Sequence, residues 1–129
     1  MNVFVYGTLK PGESNYYLCK NYVIAAKPAI AYGKLFHLPV GYPAMTPGDD
    51  HVHGYLLSFP DSQILPTLDD LEDYHPSKSV SENLYQREYI KIFQPTGESL
   101  GWAWVYLMTP DKVNQLNGIF QPHGCWSPN

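Results

Sequence analysis

The chain has 129 residues, 44% of them hydrophobic and 16% charged, with a net charge of −4. That composition describes a globular chain, and that length fits one domain (residues 1–129) with a real core. The acidic balance and the lack of a basic cluster argue against nucleic acid as a partner, and no run approaches the roughly 18 apolar residues of a membrane span.

Val3 to Tyr6 reads as a buried first strand ending in a Gly-rich loop. Asn15 to Lys20 reads as a short helical turn capped at Ser14 or Asn15, and Ala29 to Leu38 as a strand. The prolines and glycines of Pro39 to Gly48 exclude a helix and predict a loop. Val52 to Phe59 is a further strand, with His51 and His53 on one face as rim residues. Asp61 to Tyr74 is the best helix, with Pro66 starting its main part, where a missing N–H costs nothing. Leu84 to Phe93 and Leu100 to Met108 form a hairpin about a Pro95–Glu98 turn. In its second strand Trp102, Trp104 and Tyr106 share one face and Ala103, Val105 and Leu107 the other, so both faces are expected to be covered. The tail, Gln121 to Asn129, is rich in Pro and Gly and is expected to run over the surface. These elements make an α+β domain with a strongly curved or barrel-like sheet.

Cys19 and Cys125 belong to no CxxC, so free thiols in a reducing cytosol are expected. The start, MNVFVYG, has no positive n-region and no long apolar stretch, so it does not read as a secretory signal. Thiol usage and the absent signal together point to a cytoplasmic protein; a monomer is the default.

The loop Gly7-Thr8-Leu9-Lys10-Pro11-Gly12-Glu13-Ser14 has the outline of a phosphate-binding loop. Glu13, however, stands where such a loop needs Lys, and Pro11 removes a backbone donor. Nucleotide binding is not expected. What survives is a sharp turn after a buried strand, where the N–H groups of Gly7, Thr8 and Leu9 can converge on a carboxylate or a developing oxyanion. The alternative is an ordinary strand-to-loop turn.

Leu68-Asp69-Asp70-Leu71-Glu72-Asp73-Tyr74 is strongly acidic. At about 3.6 residues per helical turn, Leu65, Leu68 and Leu71 form an apolar stripe, and Glu72 falls inside it. Asp70 and Asp73 lie opposite and Asp69 on the flank, which makes those three a solvated face. A carboxyl turned toward the core loses solvation, so its pKa rises and it becomes suited to proton transfer near neutral pH. Otherwise Glu72 is tied to a partner such as Arg87, or reaches out at the helix end.

The His pair at 51 and 53 lacks an evident third ligand, so no metal site is expected. No Gly-x-Ser-x-Gly is present, and neither cysteine sits in a nucleophile setting, so covalent catalysis is unsupported. Tyr42, Tyr85 and Tyr106 can offer hydroxyls to a polar ligand or serve as packing. Gly41 to Met45 either closes a pocket or is a surface turn.

The chain resembles the γ-glutamylcyclotransferase-like family, closest to its small γ-glutamylamine cyclotransferase branch. Three motifs carry the likeness, in the family's order and spacing: Val5-Tyr6-Gly7-Thr8-Leu9, then Leu68-Asp69-Asp70-Leu71-Glu72, then Tyr85-Gln86-Arg87. The likeness spans residues 3 to 107. It implies a small mixed barrel flanked by helices with one cavity, a γ-glutamyl group held by Tyr6, Gly7, Thr8 and Leu9 mainly through backbone N–H groups, and Glu72 as the proton-transferring residue. It implies no metal or organic cofactor. The reaction it implies is attack of the substrate's own α-amine on its γ-carbonyl, releasing 5-oxoproline and an amine, which explains why no Ser or Cys nucleophile is needed. The alternatives are a binding protein of the same fold that holds a small ligand without turnover, and a domain acting on γ-glutamyl-protected biosynthetic intermediates.

Overall fold

A computed structural model describes residues 1–128. The strands are β1 (Asn2–Val5), β2 (Ala25–His37), β3 (Pro43–Ser58), β4 (Gln86–Phe93), β5 (Ser99–Leu107) and β6 (Ile119–Phe120); the helices are α1 (Leu65–Leu71) and α2 (Pro110–Gln115). Short 3₁₀ turns occupy Tyr16–Leu18, Lys20–Tyr22 and Val80–Glu82.

β3 pairs with β1, β1 with β5, β5 with β4, β4 with β2, and β2 again with β3, which closes a mixed five-stranded barrel. Every pairing is antiparallel except β1 with β5, where Val3 lies opposite Trp104. β6 extends β2 beyond the barrel, with Phe36 opposite Phe120. Closure removes the open edges that would otherwise invite pairing with other chains.

The alternation of side chains along β1 sorts the core into two layers. Phe4 and Tyr6 join Ala31, Leu35, Met45, Val52, Leu56, Ile92, Ala103 and Val105, a cluster to which all five barrel strands contribute and which fills the interior. Val3 and Val5 point the other way, against Leu57, Leu68, Met108 and Val113, where α1 and α2 cover the outside.

Several expectations are corrected. The segment from Pro43 onward is strand rather than loop. Lys34 pairs with Thr46 and Gly33 with Asp50, so Pro47, Gly48 and Asp49 bulge out of one long strand. The bulge accommodates Pro47, which has no N–H to give a ladder. α1 is shorter than the predicted helix, although Pro66 does stand in its first turn. On β5, Ala103 and Val105 are buried inside the barrel, but Trp102 on the other face is 52% exposed, because the helices reach only the far end of that strand. The tail does not simply cross the surface. Trp126 is buried in the interior cluster, and its indole N–H donates to Nδ1 of His37 at 3.1 Å. The last residue, Asn129, lies outside the described residues.

Candidate active site

The end of β1 builds the first wall. Tyr6 turns its ring into the barrel, and the chain then folds back on its own carbonyls. The N–H of Lys10 donates to the carbonyl of Gly7 at 3.0 Å, and that of Asn15 to the carbonyl of Thr8 at 2.9 Å. The Asn15 side-chain amide donates to Oγ1 of Thr8 at 2.9 Å. The carbonyls of the turn are thereby used internally. Among the described residues, the N–H groups of Gly7, Thr8 and Leu9 have no acceptor. Consecutive free N–H groups are what a backbone anion site requires.

The end of α1 builds the second wall. The N–H of Glu72 donates to the carbonyl of Leu68 at 3.0 Å, that of Asp73 to Asp70 at 3.2 Å, and that of Tyr74 to Asp69 at 2.9 Å. Asp73 adopts φ 50°. This is a Schellman stop, with Asp in the left-handed position that Gly usually takes. It fixes Glu72 as the last residue before the chain turns away, on the same side as Leu68.

The two walls meet. One cavity of about 270 Å³ is lined by Tyr6, Gly7, Thr8, Leu9, Tyr42, Glu72, Tyr85 and Tyr106, together with Phe4, Val5, Asn15, Pro43, Leu71 and Leu84. Glu72 and all seven residues expected to bind substrate are therefore on a single surface. The volume falls at the small end of ligand sites, which run from about 300 Å³ upward. Glu72 is half-buried and lines this cavity, and the surrounding protein pushes its carboxyl up to about 7 by desolvation. Among the described residues no side chain or backbone group hydrogen-bonds to it. The Arg87 alternative does not hold, because Arg87 Nη1 pairs with Asp69 Oδ2 at 2.5 Å instead.

The tyrosines divide into struts and one free group. The Tyr6 hydroxyl donates to the Tyr106 carbonyl at 2.5 Å and accepts from the Met45 N–H at 3.2 Å. The Tyr85 hydroxyl donates to the Pro43 carbonyl at 2.6 Å, and the Tyr106 hydroxyl to Oδ1 of Asp69 at 2.7 Å. Tyr42 alone of the four makes no hydroxyl hydrogen bond among the described residues. Burial, and then the Glu72 carboxylate, raise the pKa of Tyr6 and Tyr42. Burial likewise leads for Tyr85 and Tyr106, so all four stay protonated and neutral.

Asp69 is the clearest miss. The helical wheel assigns it to a solvated face, yet its side chain is 13% exposed and ion-paired. A wheel shows which way a residue points but not which strand comes to meet it. His51 and His53 are not at the cavity rim. They sit on the outer face of β3, where the His51 ring packs edge-on to Tyr32 at 5.1 Å and His53 lines a separate, shallower depression.

A closed barrel thus brings a free amide turn and a carboxyl to one cavity. The family described as "Gamma-glutamyl cyclotransferase, AIG2-like" matches residues 3–128, and the chain belongs to this cyclotransferase enzyme family. A relative from Niallia circulans, named gamma-L-glutamyl-butirosin B gamma-glutamyl cyclotransferase, is 33% identical over 107 residues, covering 81% of this chain and 66% of the relative. This chain thus spans just under two thirds of that protein. The crystal structure of an AIG2-like protein from Mus musculus superposes with a TM-score of 0.64 at 25% identity, over 98% of this chain and 87% of that one. The solution structure of protein ytfP from Escherichia coli gives a TM-score of 0.60 at 27% identity, over 98% and 96%. Among the described residues no helix is long and apolar enough to cross a membrane.

Proposed function

We propose that the protein is a γ-glutamylcyclotransferase that converts a small γ-glutamyl compound into 5-oxoproline and a free amine or amino acid, with Glu72 as general acid and base. The observation that carries this reading is the enclosure of one carboxyl, raised to about 7, in the same cavity as the three free amides. Family membership and the printed name of the Niallia circulans relative support the class of substrate.

The Glu72 carboxylate takes a proton from the substrate α-ammonium. The freed amine attacks the γ-carbonyl carbon, and the new C–N bond closes a five-membered lactam. As the tetrahedral centre collapses, the bond to the leaving nitrogen breaks and Glu72 returns its proton to that nitrogen; the second proton shed by the attacking nitrogen also passes to the released amine, which leaves as an ammonium. Such acid–base help contributes about 10²–10⁴-fold. The amides of Gly7, Thr8 and Leu9 hold the α-carboxylate or the developing oxyanion, and the Tyr42 hydroxyl is the side-chain donor still free for substrate. Holding the glutamyl group folded on itself adds a positioning effect. The reaction as written needs no cofactor. The free cysteines, Cys19 buried and Cys125 exposed, are in keeping with a reducing, cytoplasmic setting.

The test is 5-oxoproline release from a panel of γ-glutamyl amides and amino acids, comparing the parent with Glu72→Gln. Turnover by the parent that is lost in the variant supports the reading. Ligand binding without turnover in either protein overturns it in favour of a non-catalytic binding protein.

A further inference from the structure

We infer that Asp69, Arg87 and Tyr106 form a positioning unit that sets Glu72 against the amide turn, serving the reaction without touching the reacting atoms. The inference rests on the cyclotransferase reading above.

Glu72 needs an external anchor. Among the described residues its carboxyl has no hydrogen-bond partner, and α1 is only Leu65–Leu71, too short to hold its own shape in water. The position of its last residue is therefore set by what ties the helix down. Leu65, Leu68 and Leu71 pack into the outer core, and the Leu84 N–H donates to the Asp73 carbonyl at 3.1 Å just past the helix. Asp69, one turn before Glu72, adds the side-chain tie to the barrel. Its two oxygens are both taken, Oδ2 by Arg87 Nη1 at 2.5 Å and Oδ1 by the Tyr106 hydroxyl at 2.7 Å.

Those two partners stand directly opposite one another on β4 and β5. One carboxylate thus pins one turn of helix to a cross-strand pair. The Arg87 guanidinium itself lies over two rings, 4.7 Å from the Trp104 ring centre and 5.3 Å from that of Tyr74. Its partners leave it little freedom to follow a shifted helix. Arg is suited to such a role because its planar fork fixes direction as well as charge.

The unit continues to the other wall. The carbonyl of Tyr106 accepts the Tyr6 hydroxyl at 2.5 Å, and Tyr6 leads directly into Gly7. Tyr106 therefore binds the helix through its hydroxyl and the amide turn through its carbonyl. The two walls of the cavity are referenced to a single residue of β5. Asp69 and Arg87 do not line the cavity; Tyr106 does, but its hydroxyl is given to Asp69. An enclosed ion pair contributes little net stability compared with apolar packing. Geometry is what this arrangement supplies.

The test uses Tyr106→Phe, Asp69→Asn and the double variant, with kcat and KM for 5-oxoproline release, 5-oxoproline affinity and thermal melts. The expected result is a fall in kcat of about 10–100-fold, as follows from a displacement near 1 Å. KM and 5-oxoproline affinity stay within about threefold and the melts stay cooperative. The double variant should be no slower than the slower single one, because both changes break the same link. Tyr106→Phe loses one oxygen atom and carries the test if Asp69→Asn does not fold. Variants with kcat within about twofold of the parent, losses that simply add, or activity that only tracks the folded fraction overturn the inference. A parent that releases no 5-oxoproline instead overturns the cyclotransferase reading.

Discussion

Gly7 and Pro43 meet with no room for a side chain between them. A Cβ placed on Gly7 would lie 2.5 Å from Cγ and 2.9 Å from Cδ of Pro43. Pro43 cannot step aside, because its ring is rigid and its carbonyl is held by the Tyr85 hydroxyl. The amide turn and the start of β3 are thus pressed together, which fixes one face of the cavity.

Gly7→Ala should therefore push the turn away from β3. Overpacking of this kind costs about 1–3 kcal/mol. The expected outcome is a lowered melting temperature together with a raised KM, because the amides that hold the substrate are the part displaced. Calorimetric melts and steady-state kinetics check both. A variant with parental KM would show that the turn does not contact substrate.

The ionisation of Glu72 predicts how stability depends on pH. Its folded value is about 7 against an ordinary 4.5, so between those pH values the folded chain holds a proton that the unfolded chain has lost. The stabilisation is fully present below about pH 4.5 and is lost as pH rises through about 7. Glu72→Gln removes this dependence. Relative to the parent it should gain on the order of 3 kcal/mol between pH 4.5 and pH 8. Urea unfolding at several pH values measures the difference, and parallel curves for the two proteins would contradict it.

Trp126 should behave as a core residue despite its place near the chain end. Its ring is buried, and its carbonyl accepts from Lys10 Nζ at 2.7 Å. Trp126→Ala is expected to cost about 3–5 kcal/mol, as for other buried aromatics. Chemical denaturation reads the loss directly, and a change under about 1 kcal/mol would place the tail outside the cooperative unit.

Legibility in the sequence follows physical range. Local signals carry well: the Gly97 turn between β4 and β5, the Pro66 start of α1, and the stripe of Leu65, Leu68 and Leu71 that turns Glu72 inward. The helix α2 is also written locally, in Thr109-Pro110-Asp111, where Oγ1 of Thr109 accepts the Lys112 N–H at 3.2 Å and Pro takes the first turn. With only six residues, α2 shows too little periodicity to stand out as a helix. Long-range partners do not show. Nothing near Asp69 announces Arg87 and Tyr106, which arrive from a hairpin well down the chain. The Pro- and Gly-rich tail conceals the docking of Trp126, because composition reports flexibility and not destination. Gly124 belongs to that same docking: a side chain there would collide with the His51 carbonyl, and its own carbonyl accepts the His53 N–H at 2.7 Å. Pro47 and Gly48 look like a loop because a bulge and a loop use the same residues.

The central claim is that the carboxyl enclosed beside the free amides carries the proton. Its most direct test is the pH dependence of kcat/KM for 5-oxoproline release by the parent and by Glu72→Gln. The parent's rate should climb with pH along an acidic limb whose midpoint lies near 7, as Glu72 ionises to the basic form that accepts the ammonium proton. The variant should show no such limb and a rate lower by about 10²-fold or more. A parental profile flat from pH 5 to 8, or a variant as fast as the parent, would contradict the claim.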